Sequence, residues 1–420
     1  MQKRLQLLLA LLAFVVTSAM AQITTSGISG KISSNGETVI GATVTATHQP
    51  SGTVYRAVTN VDGRYTIQGM RPGGPYKVSI SYIGYKDKVF NNVSLSLGET
   101  ENISCSLQED AHQLQEVVVS GKAGLAASRT GAATSMTAKQ INNMPSITHG
   151  IADVARLNPQ LTVTNSGNMS FAGVNNRYNN FMIDGAANND VFGLAPSGNN
   201  GGQAGAQPVS METIEQIQVS VAPFDVRQSG FTGGAINAIT KSGTNKFHGS
   251  AYYYGYNQDL IGTKYPYLDG TGYAPKYQKQ TQYNMGVTLG GPIIKNKLFF
   301  FANYERTNKE YPNLYGVDSG NSKVDTEQAK DILTMLQKMA EKQGVNFNDY
   351  YSNQDIYTKS DKAGLKLDWN INEFNKFAIR WSLVKAEQLS GGGSASSLNS
   401  YGYSYPFKSN TNSFIAELQS

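Results

Sequence analysis

The sequence predicts a mainly β protein in three parts: a small β-sandwich, a mixed α/β domain, and the first strands of a transmembrane β-barrel. Three observations predict it. Short apolar runs separated by turn signals fill residues 28–107. Two helix-like stretches and several short strands follow, ending in the glycine pair Gly233-Gly234. Beyond Lys241-Ser242-Gly243 the strands lengthen to about ten residues, become Tyr-rich and alternate apolar with polar positions.

Composition narrows the function classes. The 420 residues are 40% apolar and only 15% charged, with 43 Gly and 24 Tyr, which fits an outer-membrane β protein better than a cytosolic enzyme. The net charge of +5 falls to about +3 without Lys3 and Arg4, too mild and dispersed for a nucleic-acid partner. A single cysteine, Cys105, excludes an internal disulfide and any Cys-based zinc cluster. Residues 1–21 pair Lys3 and Arg4 with an apolar run, Leu7 to Val16, and end in Ala19-Met20-Ala21. That is the layout of a signal peptide cut before Gln22, and the run is short of the roughly 20 residues of a spanning helix. With no later candidate helix, the expected place is the periplasm, the exterior or the outer membrane.

Residues 22–108 carry the sandwich. The runs Ile28 to Ile32, Ala42 to Thr47, Val54 to Thr59, Tyr65 to Ile67, Tyr76 to Tyr82, Val93 to Leu97 and Ile103 to Leu107 are punctuated by Asn35-Gly36, Asp62-Gly63 and Gly73-Gly74. The stretch GKISSNGETVIGATVTA with TNVDGRYTIQGMRPGGPYKVSISYIGYK resembles the carboxypeptidase-regulatory-like domain, of carbohydrate-binding-like fold. Tyr65, Tyr82 and Tyr85 either stack on a sugar face or simply cover the sandwich, the second being favoured. The fold also accompanies metallopeptidases, but His48, His112, His149 and His248 stand in no H-x-x-E or H-E-x-x-H arrangement. No enzyme, metal site or cofactor is expected.

Residues 109–124 read as a linker holding a β-branched segment, Leu114, Gln115, Glu116, Val117, Val118 and Val119. Such a segment on a tether can add to a partner's exposed sheet edge through backbone hydrogen bonds. The less favoured alternative is that Val117 to Val119 is merely the first strand of the domain that follows.

Residues 125–243 form the central domain. Thr137 can cap a helix ending before Pro145, and a second helix spans roughly His149 to Leu157. Phe181 to Ile183 reads as a strand and Asp184-Gly185 as a hairpin turn. Ile214, Ile217, Val219 and Val221 lead through Pro223, Asp225 and Gly230 to Gly233-Gly234 and a strand from Ala235 to Ile239. The glycine-rich loop Gly193 to Gln207 looks unable to pack a core, and reads as a mobile apical loop that touches cargo or a disordered connection.

The run IEQIQVSVAPFDVRQSGFTGGAINAITKSGTNKFHGSAYYY resembles the end of the plug and start of the barrel in TonB-dependent outer-membrane receptors, most closely the Oar-like branch. It holds the pattern I-E-x-I-x-V, a loop, then G-G-x-I-N-x-I-T-K, whose members include Gly233, Gly234 and Asn237. The resemblance implies that Leu114 to Val119 is the box that pairs with periplasmic TonB. It also implies a plug motif at Gly173, Asn175, Arg177, Asp184 and Gly185, with A-G-V-N-N-R replacing the usual R-G order. Asn175, Arg177 and Asp184 more readily fix plug turns against the barrel wall than bind ligand.

Residues 244–420 carry the barrel strands. Tyr283, Met285, Val287 and Leu289 alternate with Asn284, Gly286, Thr288 and Gly290. The same holds for Ala363 to Ile371 and for Phe377 to Leu383. Connections at 295–297 and 372–375 are short, and those near 259–281, 309–359 and 389–410 are long, with a helix between Asp325 and Gly344. About six strands are countable, fewer than a closed family barrel needs. The chain therefore reads as a fragment or a truncated gene product.

The expected function is energised uptake of an unidentified extracellular ligand. TonB with its inner-membrane energising complex, outer-membrane lipid and a surface lipoprotein are the partners implied, with the sandwich in the periplasm. The alternative is an adhesion or carbohydrate-binding protein whose barrel is only an anchor.

Overall fold

The computed structural model describes residues 24–109, 117–119, 132–146, 149–164, 168–190, 192–221, 230–260, 279–312, 326–344, 355–390 and 404–419. The signal-peptide stretch and Leu114 to Glu116 lie outside them.

Alternating burial builds the N-terminal domain from two sheets. Strands β1 (Ser26–Ser34), β2 (Glu37–Thr38), β3 (Thr43–His48), β4 (Thr53–Val58), β5 (Arg64–Met70), β6 (Gly73–Ser81), β7 (Lys88–Leu95), β8 (Thr100–Asn102), β9 (Cys105–Ser106) and β10 (Val117–Val119) follow in chain order. One sheet runs β2-β1-β5 with β8 and β9 parallel to β1, and the other runs β10-β7-β6-β3-β4. Ile28 and Ile32 of the first face Val44, Val78 and Ile80 of the second, all fully buried. Each such side chain contributes about 1.5–3 kcal/mol by leaving water, which is why every second residue is apolar. Asn35 and Gly36 both take positive φ, the geometry of the two-residue hairpin their sequence signals. Tyr65 is a core residue whose hydroxyl donates to Ile103 O at 2.7 Å, so it is not a sugar-stacking surface.

The central domain is a sheet of order β11-β16-β17-β14-β15. Its strands are β11 (Ala132–Thr137), β14 (Asn180–Ile183), β15 (Ala186–Ala187), β16 (Ile214–Val221) and β17 (Gly234–Thr240), while β12 (Leu161–Val163) and β13 (Met169–Phe171) form a separate hairpin. Helices α1 (Ala138–Asn143) and α2 (Ile151–Ala155) pack on it through Ile141, Ile151 and Val154. The predicted cap is present: Thr137 and Gln140 exchange side-chain-to-backbone bonds in a capping box.

The described residues of the third part form a six-stranded antiparallel wall in chain order. It comprises β18 (His248–Asn257), β19 (Thr281–Ile294), β20 (Leu298–Pro312), β21 (Asp355–Asn370), β22 (Lys376–Ser390) and β23 (Tyr405–Gln419). Helix α3 (Thr326–Lys342) sits in the connection between β20 and β21. Met285, Val287 and Leu289 are exposed on the outer face, whereas Asn284 and Thr288 are buried on the inner face. No helix among the described residues is long and apolar enough to cross a membrane, and the strands are what suit that task.

Candidate functional site

The central domain meets the wall through polar groups. Asp184 and Gly185 both have positive φ, so the Asp-Gly turn folds β15 back on β14 and fixes the Asp184 carboxylate at the sheet end. There the carboxylate accepts from Thr240 N at 2.8 Å and Thr240 Oγ1 at 2.6 Å, both on β17. From the wall, Arg380 Nη1 approaches to 3.0 Å and Lys366 Nζ to 3.7 Å. Burial alone would raise the Asp184 pKa. The Lys366 and Arg380 charges and the Thr240 bonds outweigh it and hold the group below the ordinary carboxylate range.

A second contact lies at Ser210, just before β16. Its hydroxyl donates to Glu305 Oε2 at 2.6 Å, Tyr252 OH donates to the same oxygen at 2.7 Å, and Lys362 Nζ binds Glu305 Oε1 at 2.6 Å. Nearby, His149 stacks on Tyr254 with ring centroids 3.9 Å apart.

The remaining residues singled out from the sequence occupy two places. Asn175 caps a short 3-10 turn by accepting from Arg177 N at 3.0 Å, and Arg177 Nε donates to Gly193 O at 3.0 Å. Gly173 precedes that turn with φ 82°. Asn176, unremarked in the sequence, adds bonds to Ala195 O and Pro196 O, and Asp190 accepts from the backbone of Phe192, Leu194 and Ala195. The glycine-rich loop is thus braced from both sides. It also packs, contrary to its composition: Ala204 and Ala206 are buried against Val384 and Ala386 of the wall. Small side chains let backbone approach a strand closely, so few apolar atoms suffice.

The glycine pair has a steric origin. A Cβ on Gly234 would stand 2.3 Å from the Phe171 ring, and one on Gly233 would stand 2.2 Å from Asn179 Oδ1. Asn237 is buried on β17, between Gln218 of β16 and Met182 of β14. Within the β-branched segment, Val117–Val119 forms β10, parallel to Lys88–Phe90 on the edge of the sandwich sheet. The structure therefore brings Asp184 to the wall, Asn175 and Arg177 to the loop, and the valines to the sandwich, in three separate places.

Several contributors were missed in the sequence. Gln216 and Gln218 of β16 reach the sandwich: Gln216 accepts from Leu97 N at 2.8 Å and donates to Leu95 O at 2.9 Å, and Gln218 donates to Leu97 O at 2.9 Å. Arg71 of the sandwich pairs with Asp368 of the wall at 3.2 Å. Lys366, Asp368 and Arg380 were visible only as polar positions of alternating strands. Charge on a lumen-facing strand position beside a packed domain was the available signal.

Comparison with known proteins assigns these parts. The family model of the carboxypeptidase regulatory-like domain matches residues 27–108, that of the TonB-dependent receptor plug domain matches 126–236, and that of an outer membrane β-barrel domain matches 239–318. The chain is 29% identical over 273 residues to the TonB-dependent transporter Oar of Myxococcus xanthus, covering 62% of this chain and 24% of that protein. It is 31% identical over 102 residues to the probable TonB-dependent siderophore receptor PirA of Acinetobacter baumannii, covering 24% of this chain and 11% of that one. The chain thus spans a quarter or less of the length of these relatives. Among solved structures, the outer membrane transporter YddB from Escherichia coli aligns with a TM-score of 0.46 at 13% identity, over 68% of this chain and 36% of that one. The chain thus carries, in order, a carboxypeptidase regulatory-like domain, a TonB-dependent receptor plug domain and outer membrane β-barrel strands, and is similar to TonB-dependent transporters of the outer membrane.

Proposed function

We propose that the protein takes up an extracellular ligand through the outer membrane, with TonB and its inner-membrane complex supplying the work. The observation that carries this reading is the Asp184 contact. Beside the small apolar patch of Ala204 and Ala206 on Val384 and Ala386, the plug is held to its wall at Asp184 by a carboxylate, two cations and a threonine. Such contacts exchange for water at small net cost, so a seated plug can be displaced and can return. Leu114 to Val119 is the segment we assign to TonB, which would grip it by strand addition. Asn175, Arg177 and the braced loop at 193–207 would then stand where cargo arrives, and the sandwich would face the periplasm beside the short turns.

The ligand class is open among ferric siderophores, oligosaccharides, peptides and cobalamin, and a surface lipoprotein is the accessory partner in this reading. The experiment is deletion of 114–119 in the full-length protein, with labelled members of each class offered to cells. Uptake should fail while surface binding persists. Persistent uptake would sink the reading, and binding without uptake in the parent would favour an adhesin anchored by its barrel.

A further inference from the structure

The sandwich touches both the plug and the wall. Its β7 runs out through Leu95 to Leu97, whose backbone is gripped by Gln216 and Gln218 of plug strand β16. Both glutamines are buried, and Leu97 is fully buried against Ile239. Opposite sandwich strands and turns reach the short-turn end of the wall. Arg71 meets Asp368 at 3.2 Å, Thr53 accepts from Asn370 at 2.9 Å, and Arg56 pairs with Glu373 at 2.8 Å. One rigid domain therefore bridges the two bodies whose separation the uptake reading requires. The same domain carries β10, the valine segment, on the free edge of β7.

We propose that the N-terminal sandwich is a clamp between plug and wall, released when the β10 segment is drawn from the β7 edge by the protein that energises uptake. The inference rests on the uptake reading for its release step and on the contacts above for the docked state. Docking on strand backbone at Leu95 and Leu97 makes β7 the common element of handle and latch. Pull on the segment thus loads the clamp before it loads the plug.

The test uses the full-length protein in lipid nanodiscs, which leave both faces open, with Cys105→Ser as background and Arg56→Cys with Glu373→Cys across the clamp. A short bifunctional maleimide should join the pair readily. Added periplasmic domain of TonB should slow that joining at least fivefold, with its binding measured in parallel on the same nanodiscs. Independently, Gln216→Ala with Gln218→Ala should slow joining without any TonB. A pair that does not join, or one whose joining rate ignores bound TonB domain, overturns the clamp. If the TonB domain fails to bind, the uptake reading falls instead, and the clamp is then decided by the glutamine variant: unchanged joining there overturns it as well.

Discussion

Asp184→Asn isolates the contact on which the proposed displacement of the plug depends. The substitution keeps the side-chain shape but removes the charge facing Arg380 and Lys366, whose side chains are only 10% and 12% exposed. Breaking one member of a buried ionic group costs about 3–5 kcal/mol, because its partners stay desolvated, against about 0–1 kcal/mol for an exposed pair. Residual access to water at both cations places this case near the lower bound, about 3 kcal/mol. Amide hydrogen exchange in the full-length protein reads that loss as local opening of β14 and β17. At 1.36 kcal/mol per decade, exchange there should rise about 150-fold while β19 and β20 stay unchanged. A rise below about threefold would refute the argument that these cations hold the plug. The pH dependence has a definite sign. Asp184 titrates lower folded than unfolded, so its contribution is present above the ordinary carboxylate pKa and is lost as pH falls through the depressed one. Plug protection relative to the intrinsic exchange rate should therefore be level through mildly acidic pH and fall only in stronger acid.

Replacing the whole group with apolar residues, Asp184→Leu with Lys366→Met and Arg380→Met, should slow plug exchange rather than speed it and abolish uptake, since a dry seam does not trade its contacts for water. Gly234→Ala should cost about 1–3 kcal/mol or prevent folding because its methyl meets the Phe171 ring, and Phe171→Leu beside it should recover part of the loss in a urea melt. His48 is held neutral by burial, with Arg71 adding repulsion, and its pKa is lowered to about 3. Stability of the sandwich should accordingly fall as pH drops from about 6.5 toward 3, by about 1.4 kcal/mol per unit at most, and His48→Gln should flatten that slope in pulse proteolysis. Arg177→Ala should leave the fold intact, its exposed bond to Gly193 being worth about 1 kcal/mol or less, while exchange in the 193–207 loop quickens measurably.

What the sequence made legible was whatever repeats locally. Period-two alternation in 283–290 and 363–371 needs only neighbouring residues, and the exposed Met285, Val287 and Leu289 follow it. Thr137 with Gln140, and Asp184 with Gly185, are equally local, since a cap or turn is decided within four residues. The partners of those groups were hidden for the opposite reason. Gln216 meets Leu95 at a separation of 121 residues, and Asn370 meets Thr53 at 317. No window along the chain contains both ends of such a bond. The loop at 193–207 was misread on a further ground. Apolar content counts side-chain carbon, whereas Ala204 and Ala206 seal against Val384 by proximity of backbone.

The division of labour between cores and contacts explains why this chain can combine stability with motion. Ile214, Ile217, Val219, Ile236 and Ala238 are buried within the plug itself, and its wall contacts at Asp184 and Ser210 are ionic or hydroxylic. Apolar burial is paid back only by keeping water out, so a plug sealed by leucines would resist displacement over its whole contact area. Hydrogen bonds and ion pairs that water can replace oppose a pull only while their geometry holds. On the uptake reading, the plug would then leave its wall as a folded body, because its own core is more stabilising than its seat. The sandwich follows the same rule, keeping Ile28, Val44 and Ile80 inside and presenting Arg56, Arg71 and Thr53 to the wall. Among the described residues, its buried apolar cluster outside its own core is Leu97 on Ile239, flanked by the two glutamines, which makes that point the firmest of its attachments and the last that should yield.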